Sequence, residues 1–321
     1  MEPIISPVDV SLIKKELTPD KLLRKTNKAN NEIYIFSAHD APNTMREVGR
    51  LREIAFRTGG GGTGAACDID EFDTMENPYK QIIVWNPDEE EIIGGYRFFH
   101  GGKVQLDAKG QPVLSTAHLF HFSEKFIHDY LPYTIELGRS FVRVEYQSTQ
   151  KGSKSLFALD NLWDGLGALT ITYPHNTRYF FGKVTMYPDF DRQARDLILA
   201  FMKKYFYDKD SLVTPFKPIV TGLSDREIEQ IFNKSNFKDD YKVLNAAVRD
   251  RDVNIPPLVN SYMGLSQSMK VFGTAINDEF GNVEETGILI SVNEIEQDKQ
   301  IRHIASFSKE ESGVFWKLMG T

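Results

Sequence analysis

The sequence contains one cysteine, Cys67, among 321 residues. A single cysteine excludes an internal disulfide framework and is typical of a reducing compartment. No apolar run approaches the roughly 18–20 residues that a membrane-spanning helix requires. The opening stretch, Met-Glu-Pro-Ile-Ile-Ser-Pro, lacks the basic and apolar regions of a secretory signal. We therefore expect a soluble, cytoplasmic protein, which leaves open a peripheral contact with the inner face of a membrane.

The sequence also lacks an excess of positive charge, with 38 Lys and Arg against 45 Asp and Glu. The formal net charge is -7, which excludes wholesale binding to nucleic acid. Hydrophobic residues, by contrast, make up 41% of the chain, enough for a substantial core. The length predicts two domains or one large decorated domain. We find no internal repeat and no low-complexity tract.

The order of predicted elements indicates a mixed sheet with helices on its faces, an α/β or α+β architecture. Strands are expected at residues 31–37, 81–85, 91–99, 134–143, 179–186, 271–278 and 287–292. Helices are expected at residues 11–28, 40–58, 155–169, 190–205 and 255–265. We divide the chain into an N-terminal helical segment (1–30), a core (31–210) and a C-terminal extension that packs on the core (211–321).

The predicted strand from Thr134 to Arg143 carries two charges in its middle, Glu136 and Arg139. Side chains three apart point to opposite faces of a regular strand. A bulge near Leu137-Gly138 would turn both charges onto one face, and bulges often lie beside active sites. The alternative is a partly exposed strand with a local ion pair, and these ten residues alone do not decide between the two.

An ordered set of motifs runs through most of the chain: Leu51-Arg-Glu-Ile-Ala-Phe56, Asp68-x-Asp70-Glu-Phe-Asp73, Gly95-Tyr-Arg97, Glu136-Leu-Gly-Arg139 and Ile255-Pro-Pro-Leu-Val-x-x-Tyr262. This set resembles the GNAT-superfamily N-acyltransferases that make ornithine lipids and glycine lipids, often labelled hemolysin-like. A shorter version resembles acyl-homoserine-lactone synthases, but the tryptophan that they carry between Phe56 and Asp68 is missing here.

The resemblance implies a GNAT-like core and an N-acyltransferase. Its donor would be acyl carrier protein, whose phosphopantetheine thioester carries a 3-hydroxy fatty acyl group, with acyl-coenzyme A as an alternative donor. Its acceptor would be the α-amine of glycine or ornithine, and its product a lyso-aminolipid for a separate O-acyltransferase. Two other functions stay open, an acyl-homoserine-lactone-type synthase and a non-enzymatic, membrane-acting hemolysin-like protein.

Amide formation from a thioester requires an acceptor for the amine's proton and a group that stabilises the oxyanion. We assign the role of proton acceptor to Glu136. Backbone amides of the same strand would stabilise the oxyanion. Arg139 would orient Glu136 or pair with a substrate carboxylate.

The acidic run that follows Gly59–Gly62 is either a solvated loop or part of an ordered ion network. In the second interpretation, Asp70 and Asp73 build the acceptor site together with Arg52 and Arg97. A calcium loop is disfavoured, because Phe72 stands where an EF-hand needs an oxygen ligand.

The usual GNAT phosphate loop is present only in a degenerate form, at Gln150, Lys151, Gly152, Lys154 and Ser155. This departure argues against a binding site for the pyrophosphate of coenzyme A at this loop. The single phosphate of a phosphopantetheine arm needs fewer contacts than a pyrophosphate, and the N-terminus of a helix suits it. Lys151 and Lys154 would meet the acidic carrier protein.

Two further candidates are judged unlikely to act. Cys67 lacks an obvious base partner, so we expect it to be inert as a nucleophile. His118 and His121 lack an apparent third ligand, so we expect no metal.

Overall fold

A computed structural model describes residues 1–147, 153–175 and 177–307 of the chain, with residues 153–156 described by their backbone alone. The described strands are β1 Leu22–Lys25, β2 Glu32–Phe36, β3 Lys80–Asn86, β4 Glu91–His100, β5 Phe120–Phe122, β6 Thr134–Val142, β7 Tyr179–Met186, β8 Val213–Pro215, β9 Lys270–Asn277 and β10 Val283–Ser291. The described helices are α1 Val10–Glu16, α2 Pro42–Thr58, α3 Glu71–Thr74, α4 Ser153–Thr172, α5 Arg192–Phe206, α6 Asp225–Ile231, α7 Phe237–Arg249, α8 Pro257–Met263 and α9 Gln297–Lys299.

Eight strands form one mixed sheet in the order β1-β2-β3-β4-β6-β7-β10-β9. Strands β6 and β7 run parallel, while the other neighbouring pairs of this sheet are antiparallel. The predicted mixed α/β fold with helices on both faces is therefore confirmed. Two strands of the predicted C-terminal extension, β9 and β10, complete one end of this sheet, and the division into three segments stays a prediction.

The two faces of the sheet bury different helices, because successive residues of a strand point to opposite sides. On β3, Ile83 packs in the cluster that contains α2, and its neighbour Ile82 packs in the cluster that contains α4. Gly165 lets α4 lie close to the sheet, since a Cβ there would be 2.6 Å from Cδ1 of Ile82. Each such fully buried aliphatic side chain contributes about 1.5–3 kcal/mol. We call the two sides the α2 face and the α4 face.

The helix predicted across residues 11–28 is wrong beyond Glu16, where α1 ends. Leu22–Lys25 instead forms the edge strand β1, paired antiparallel with β2. The basic residues at 24 and 25 have no strand propensity of their own, so tertiary pairing decided the outcome. Among the described helices, none combines the length and the apolar character that crossing a bilayer requires.

Candidate active site

Strand β6 carries an extra residue against its neighbour β4. Gly95 of β4 pairs with Phe141 of β6, and Arg97 of β4 pairs with Gly138. An advance of two residues along β4 therefore corresponds to three residues along β6. Arg139 lies in this bulge with φ of +48°, in the left-handed region. The bulge that the sequence predicts beside Gly138 is confirmed.

A cavity of about 220 Å³ opens where β6 and β7 part. Their parallel pairing ends at Glu136 and Phe181, although both strands continue. The side of the cavity towards α4 and α8 is mainly apolar, lined by Leu137, Phe180, Tyr262, Ile288 and Ile290. The side towards α2 is more polar, lined by Arg139, Lys183, Thr185, Tyr187 and Glu285. The cavity is thus a slot through the sheet with an apolar end and a polar end.

Glu136 is 1% exposed and does not line this cavity. Tyr79 donates its hydroxyl to Oε2. Thr116 donates its hydroxyl and its backbone N–H to Oε1 at 2.7 and 3.2 Å, and the Ser115 hydroxyl lies 3.4 Å from the same oxygen. Burial and the neighbouring Glu136 raise the pKa of Tyr79 well above its usual value, so this phenol remains a donor. The carboxylate is therefore fully engaged by the protein itself.

Arg139 lies on the same face as Glu136, as predicted, but the two side chains do not contact each other, and the alternative role of Arg139, pairing with a substrate carboxylate, stays a prediction. Its Nε is 2.9 Å from Oδ2 of Asp68, and Nη2 is 3.4 Å from Oδ2 of Asp70. The guanidinium also lies 4.5 Å from the ring centroid of Phe280. Arg139 is thus held by the acidic segment, which turns its side chain away from Glu136.

The four predicted acceptor-site residues come together in one network. Nη1 of Arg97 lies 2.7 Å from both carboxylate oxygens of Asp70 and 3.3 Å from Oδ2 of Asp73. Nη1 of Arg52 lies 3.2 Å from the same Asp73 oxygen, and Gln81 bridges Arg52 and Asp73. The prediction of an ordered network, rather than a solvated loop, is confirmed.

The network differs in accessibility from one end to the other. Arg52 and Asp73 are 0% exposed, so both side chains lie wholly inside the protein. Burial raises the pKa of Asp70, but Arg97 and Arg139 outweigh that effect and hold the pKa below its usual value. Asp70, Arg97 and Arg139 line a wider cavity of about 650 Å³ on the α2 face. Only this end of the network can meet a substrate.

A second charged pair lies at the polar end of the slot, and sequence reasoning missed it. Nζ of Lys183 on β7 is 2.9 Å from Oε1 of Glu285 on β10. Burial lowers the pKa of Lys183 more than Glu285 raises it. The available signal was charge within two strands that also carry apolar runs, Lys183 in β7 and the adjacent Glu284 and Glu285 in β10.

Comparisons with known proteins agree with this geometry. Residues 51–154 match the family described as an acetyltransferase (GNAT) domain. The chain is 63% identical over 307 residues to a glycine N(alpha)-acyltransferase of Bacteroides thetaiotaomicron, covering 96% of this chain and 91% of that protein. The relative of the same name in Phocaeicola vulgatus is 62% identical over 310 residues, covering 97% and 95%. The chain belongs to this acyltransferase family.

One solved structure, the AHL synthase LasI, covers 85% of this family member and 95% of its own chain, with 14% identity and a TM-score of 0.42. That likeness is too distant to say anything about function. The resemblance to GNAT N-acyltransferases rests on the sequence relatives, and it is confirmed.

The structure describes the remaining predicted site residues of this acyltransferase only in part. Gln150, Lys151 and Gly152 lie outside the described residues. Lys154 and Ser155 lie in the first turn of α4, and their side chains are not described. Among the aromatic residues of the central strands, Phe180 and Phe181 line the slot, whereas Phe98, Phe99 and Phe141 do not.

The partners of Glu136 were also missed by sequence reasoning. Ser115 and Thr116 lie in the polar segment between β4 and β5, and Tyr79 precedes β3. Nothing in the local pattern links these three residues to a carboxylate on β6, because they meet only in the folded chain. Burial and nearby Asp68 raise the pKa of Cys67 to about 11. This direction favours an unreactive thiol, and the expectation that Cys67 is inert stays a prediction.

Proposed function

We propose that this acyltransferase moves a 3-hydroxy fatty acyl group from acyl carrier protein to the α-amine of glycine. The observation that carries the proposal is the slot between β6 and β7, which has an apolar end, a polar end and a bulge between them. A thioester placed at the bulge has room for its acyl chain on one side and for an amine on the other. Glycine is proposed as acceptor because two close relatives carry its name.

The acyl chain is proposed to lie at the apolar end, against Leu137, Phe180 and Ile290. The same three residues line a small adjoining cavity with Trp163, Leu166 and Ile304, beneath α4. Such a path buries the chain in apolar surroundings, at about 0.8 kcal/mol for each CH₂ taken out of water. Backbone amides at the bulge of β6 would stabilise the oxyanion.

The donor's phosphate is proposed to bind at the start of α4, where Lys154 and Ser155 lie. The first turn of a helix has backbone amides without an acceptor inside the helix, and such amides suit an anion. Lys151 and Lys154 are proposed to meet the acidic surface of the carrier protein. The product, an N-acylglycine, is a lyso-aminolipid that an O-acyltransferase would complete.

The catalytic role assigned to Glu136 stays a prediction, and its contacts favour an indirect form of it. Glu136 holds Ser115 and Thr116, and Ser115 lines the wider cavity with Asp70 and Arg139. In this form, Glu136 is a positioning residue that fixes one wall of the site. The substrate contacts proposed for this network belong to Asp70, Arg97 and Arg139, with Arg52 and Asp73 supporting them from inside.

The proposal is tested by incubating the purified enzyme with glycine and a 3-hydroxyacyl thioester on acyl carrier protein or on coenzyme A, at equal chain length. We expect N-acylglycine by mass spectrometry, formed faster from the carrier protein. No N-acylglycine from either donor would overturn the function. Equal or faster turnover with the coenzyme A thioester would overturn the donor assignment alone.

Charge reversal tests the docking surface. The double variant Lys151→Glu and Lys154→Glu should raise KM for the carrier protein and flatten its salt dependence, because surface charges act on encounter. Lys242→Glu on α7 is the matched control, since it reverses a lysine whose side chain is 77% exposed. An unchanged KM in the double variant would contradict the surface.

A further inference from the structure

Lys183 and Glu285 occupy adjacent strands and point to the α2 face. Glu285 pairs with Thr185 across β7 and β10, and Lys183 pairs with Gly287. The two charged residues are therefore diagonal neighbours on one face, which brings their side chains within reach. Both line the slot of about 220 Å³ between β6 and β7.

The Glu285 carboxylate has one oxygen in use and one without a partner. Oε1 contacts Lys183 at 2.9 Å and Asn277 Nδ2 at 3.5 Å. Oε2 is buried and accepts no hydrogen bond from any residue that the structure describes, in a side chain that is 1% exposed. A buried carboxylate oxygen without a donor is costly. A donor from outside the protein would remove that cost.

Lys183 complements this oxygen. Its ammonium has three protons to donate, and one of them is directed at Glu285. Arg139, the other cation at this end of the slot, is already held by Asp68 and Asp70. The polar end is therefore lined by a carboxylate that has one unpartnered oxygen and by a cation, an arrangement complementary to a zwitterion.

We infer that Glu285 and Lys183 bind the acceptor amino acid, with Oε2 of Glu285 receiving the ammonium and its proton, and Nζ of Lys183 binding the carboxylate. The inference rests on the proposed function and names the residues that hold its acceptor. The rings of Phe56 and Phe280, with centroids 5.1 Å apart, and the ring of Tyr187 surround this end of the slot.

The proposed step balances as follows. One ammonium proton moves to Oε2 of Glu285, which frees the nitrogen lone pair. The nitrogen attacks the thioester carbonyl, the C–N bond forms, and the C–S bond breaks. The amine loses a second proton, which leaves with the pantetheine thiol. Glu285 then releases its proton to solvent, so the products are the amide, the thiol and one proton.

The test is Glu285→Gln, which keeps the shape of the side chain and an oxygen for Lys183. We expect kcat for glycine to fall about 10²–10⁴-fold at neutral pH. Alkaline buffer should recover part of the loss, because it supplies free amine without a base. The charged or titratable groups that face Glu285 in the slot are Lys183, Arg139 and Tyr187, and all three are unchanged in this variant.

Glu284→Gln is the matched control. Glu284 is the preceding residue on β10, and its Oε1 makes an ion pair with Arg195 at 2.9 Å. Removing that pair should leave kcat and KM for glycine near wild type. The comparison separates loss of a strand charge from loss of a proton acceptor.

Lys183 is tested with glycinamide, which keeps the amine and lacks the carboxylate. The wild type should prefer glycine strongly, and Lys183→Met should lose most of that preference through a raised KM for glycine. An unchanged ratio of kcat/KM for the two acceptors would overturn the carboxylate contact.

The failures are distinguishable. If the wild type makes no N-acylglycine, the proposed function is overturned, whatever the variants do. A wild type that makes it, with a folded Glu285→Gln that matches its kcat and KM at neutral pH, sinks the inference alone. If Glu285→Gln does not fold, Glu285→Asp decides, because it keeps the charge near Lys183 but withdraws the oxygen by one methylene. Wild-type kcat in that variant also overturns the inference.

Discussion

Glu136 on β6 and Glu285 on β10 are two carboxylates on the same face of the sheet, and each is 1% exposed. They differ in what surrounds their oxygens. Glu136 lies where β6 and β7 still pair, and it receives hydrogen bonds from Tyr79, Ser115 and Thr116. Glu285 lies beside the gap, and one of its oxygens has no donor among the described residues.

The difference teaches that burial and a central position do not identify a base. A proton acceptor must present an oxygen that the protein leaves unused, in a space that substrate can enter. Glu285 has such an oxygen and lines the slot, which is why we infer the role for it. Glu136 satisfies neither, although its strand is the more conspicuous in the sequence.

The largest effect is expected from Glu136→Gln, and it should be on stability. An amide N–H would replace an oxygen that accepts hydrogen bonds in a buried site, which costs about 3 kcal/mol in the free energy of unfolding. The kcat of the folded variant should change by less than about tenfold, because no oxygen of Glu136 reaches the slot. Chemical denaturation and kcat on one preparation measure both.

The opposite result would restore Glu136 as the base. That result is an unchanged free energy of unfolding, a kcat lowered about 10²–10⁴-fold, and partial recovery in alkaline buffer.

The next effect is expected from Thr116→Val, which removes one donor and keeps the shape. Its hydroxyl lies 2.7 Å from Oε1 of Glu136, and losing a hydrogen bond to a charged group should cost about 2 kcal/mol. Thr172→Val is the matched control, since the buried Thr172 hydroxyl has no partner among the described residues. That control should change the free energy of unfolding by less than about 0.5 kcal/mol. Equal losses in both would contradict our account of Glu136.

His100 shows that an unpartnered polar atom alone does not make a site. Its ring nitrogens have no partner in the described part of the chain. The ring packs edge-to-face on Tyr173 on the α4 face, with ring centroids 4.3 Å apart, and it does not line the slot. Burial, with Lys103 and Lys80 nearby, lowers the pKa of His100 to about 4.

The pKa of His100 therefore predicts a specific pH dependence. In the unfolded chain a histidine gains its proton below about pH 6.5, whereas folded His100 stays neutral until about pH 4. Its stabilising contribution is complete above pH 6.5 and is lost as the pH falls from there to 4, about 1 kcal/mol of it by about pH 5.5. His100→Phe should reduce the acid loss of stability by that amount and leave activity intact. Identical pH profiles of melting temperature would contradict the prediction.

The smallest effect is expected from Cys67→Ser. The Cys67 thiol is protonated at neutral pH and donates to the Arg46 carbonyl at 3.4 Å. Activity should stay within about twofold of wild type, and intact mass should show no acyl-enzyme. A stable thioester at Cys67 would overturn direct transfer of the acyl group from the donor to the amine.

Much of the fold follows from the chain itself. The runs of β-branched and aromatic residues in 81–85 and 91–99, with turn residues between them, indicate the β3–β4 hairpin. Pro42 and Gly59 lie at the two ends of α2, and Gly138 together with the charges at 136 and 139 indicated the bulge. These features depend on neighbours a few residues apart, which is the range that a sequence pattern reports.

The site depended on the tertiary structure. Glu136 and Tyr79 are 57 residues apart, and Lys183 and Glu285 meet only because β10 enters the sheet beside β7. Composition and spacing determined that the chain is a mixed α/β protein with charged residues in its central strand. Strand order and the gap between β6 and β7 decide which carboxylate has hydrogen-bond partners for both oxygens and which keeps a free oxygen. The reason is that hydrogen bonds form between groups that are close in space, whatever their separation in sequence.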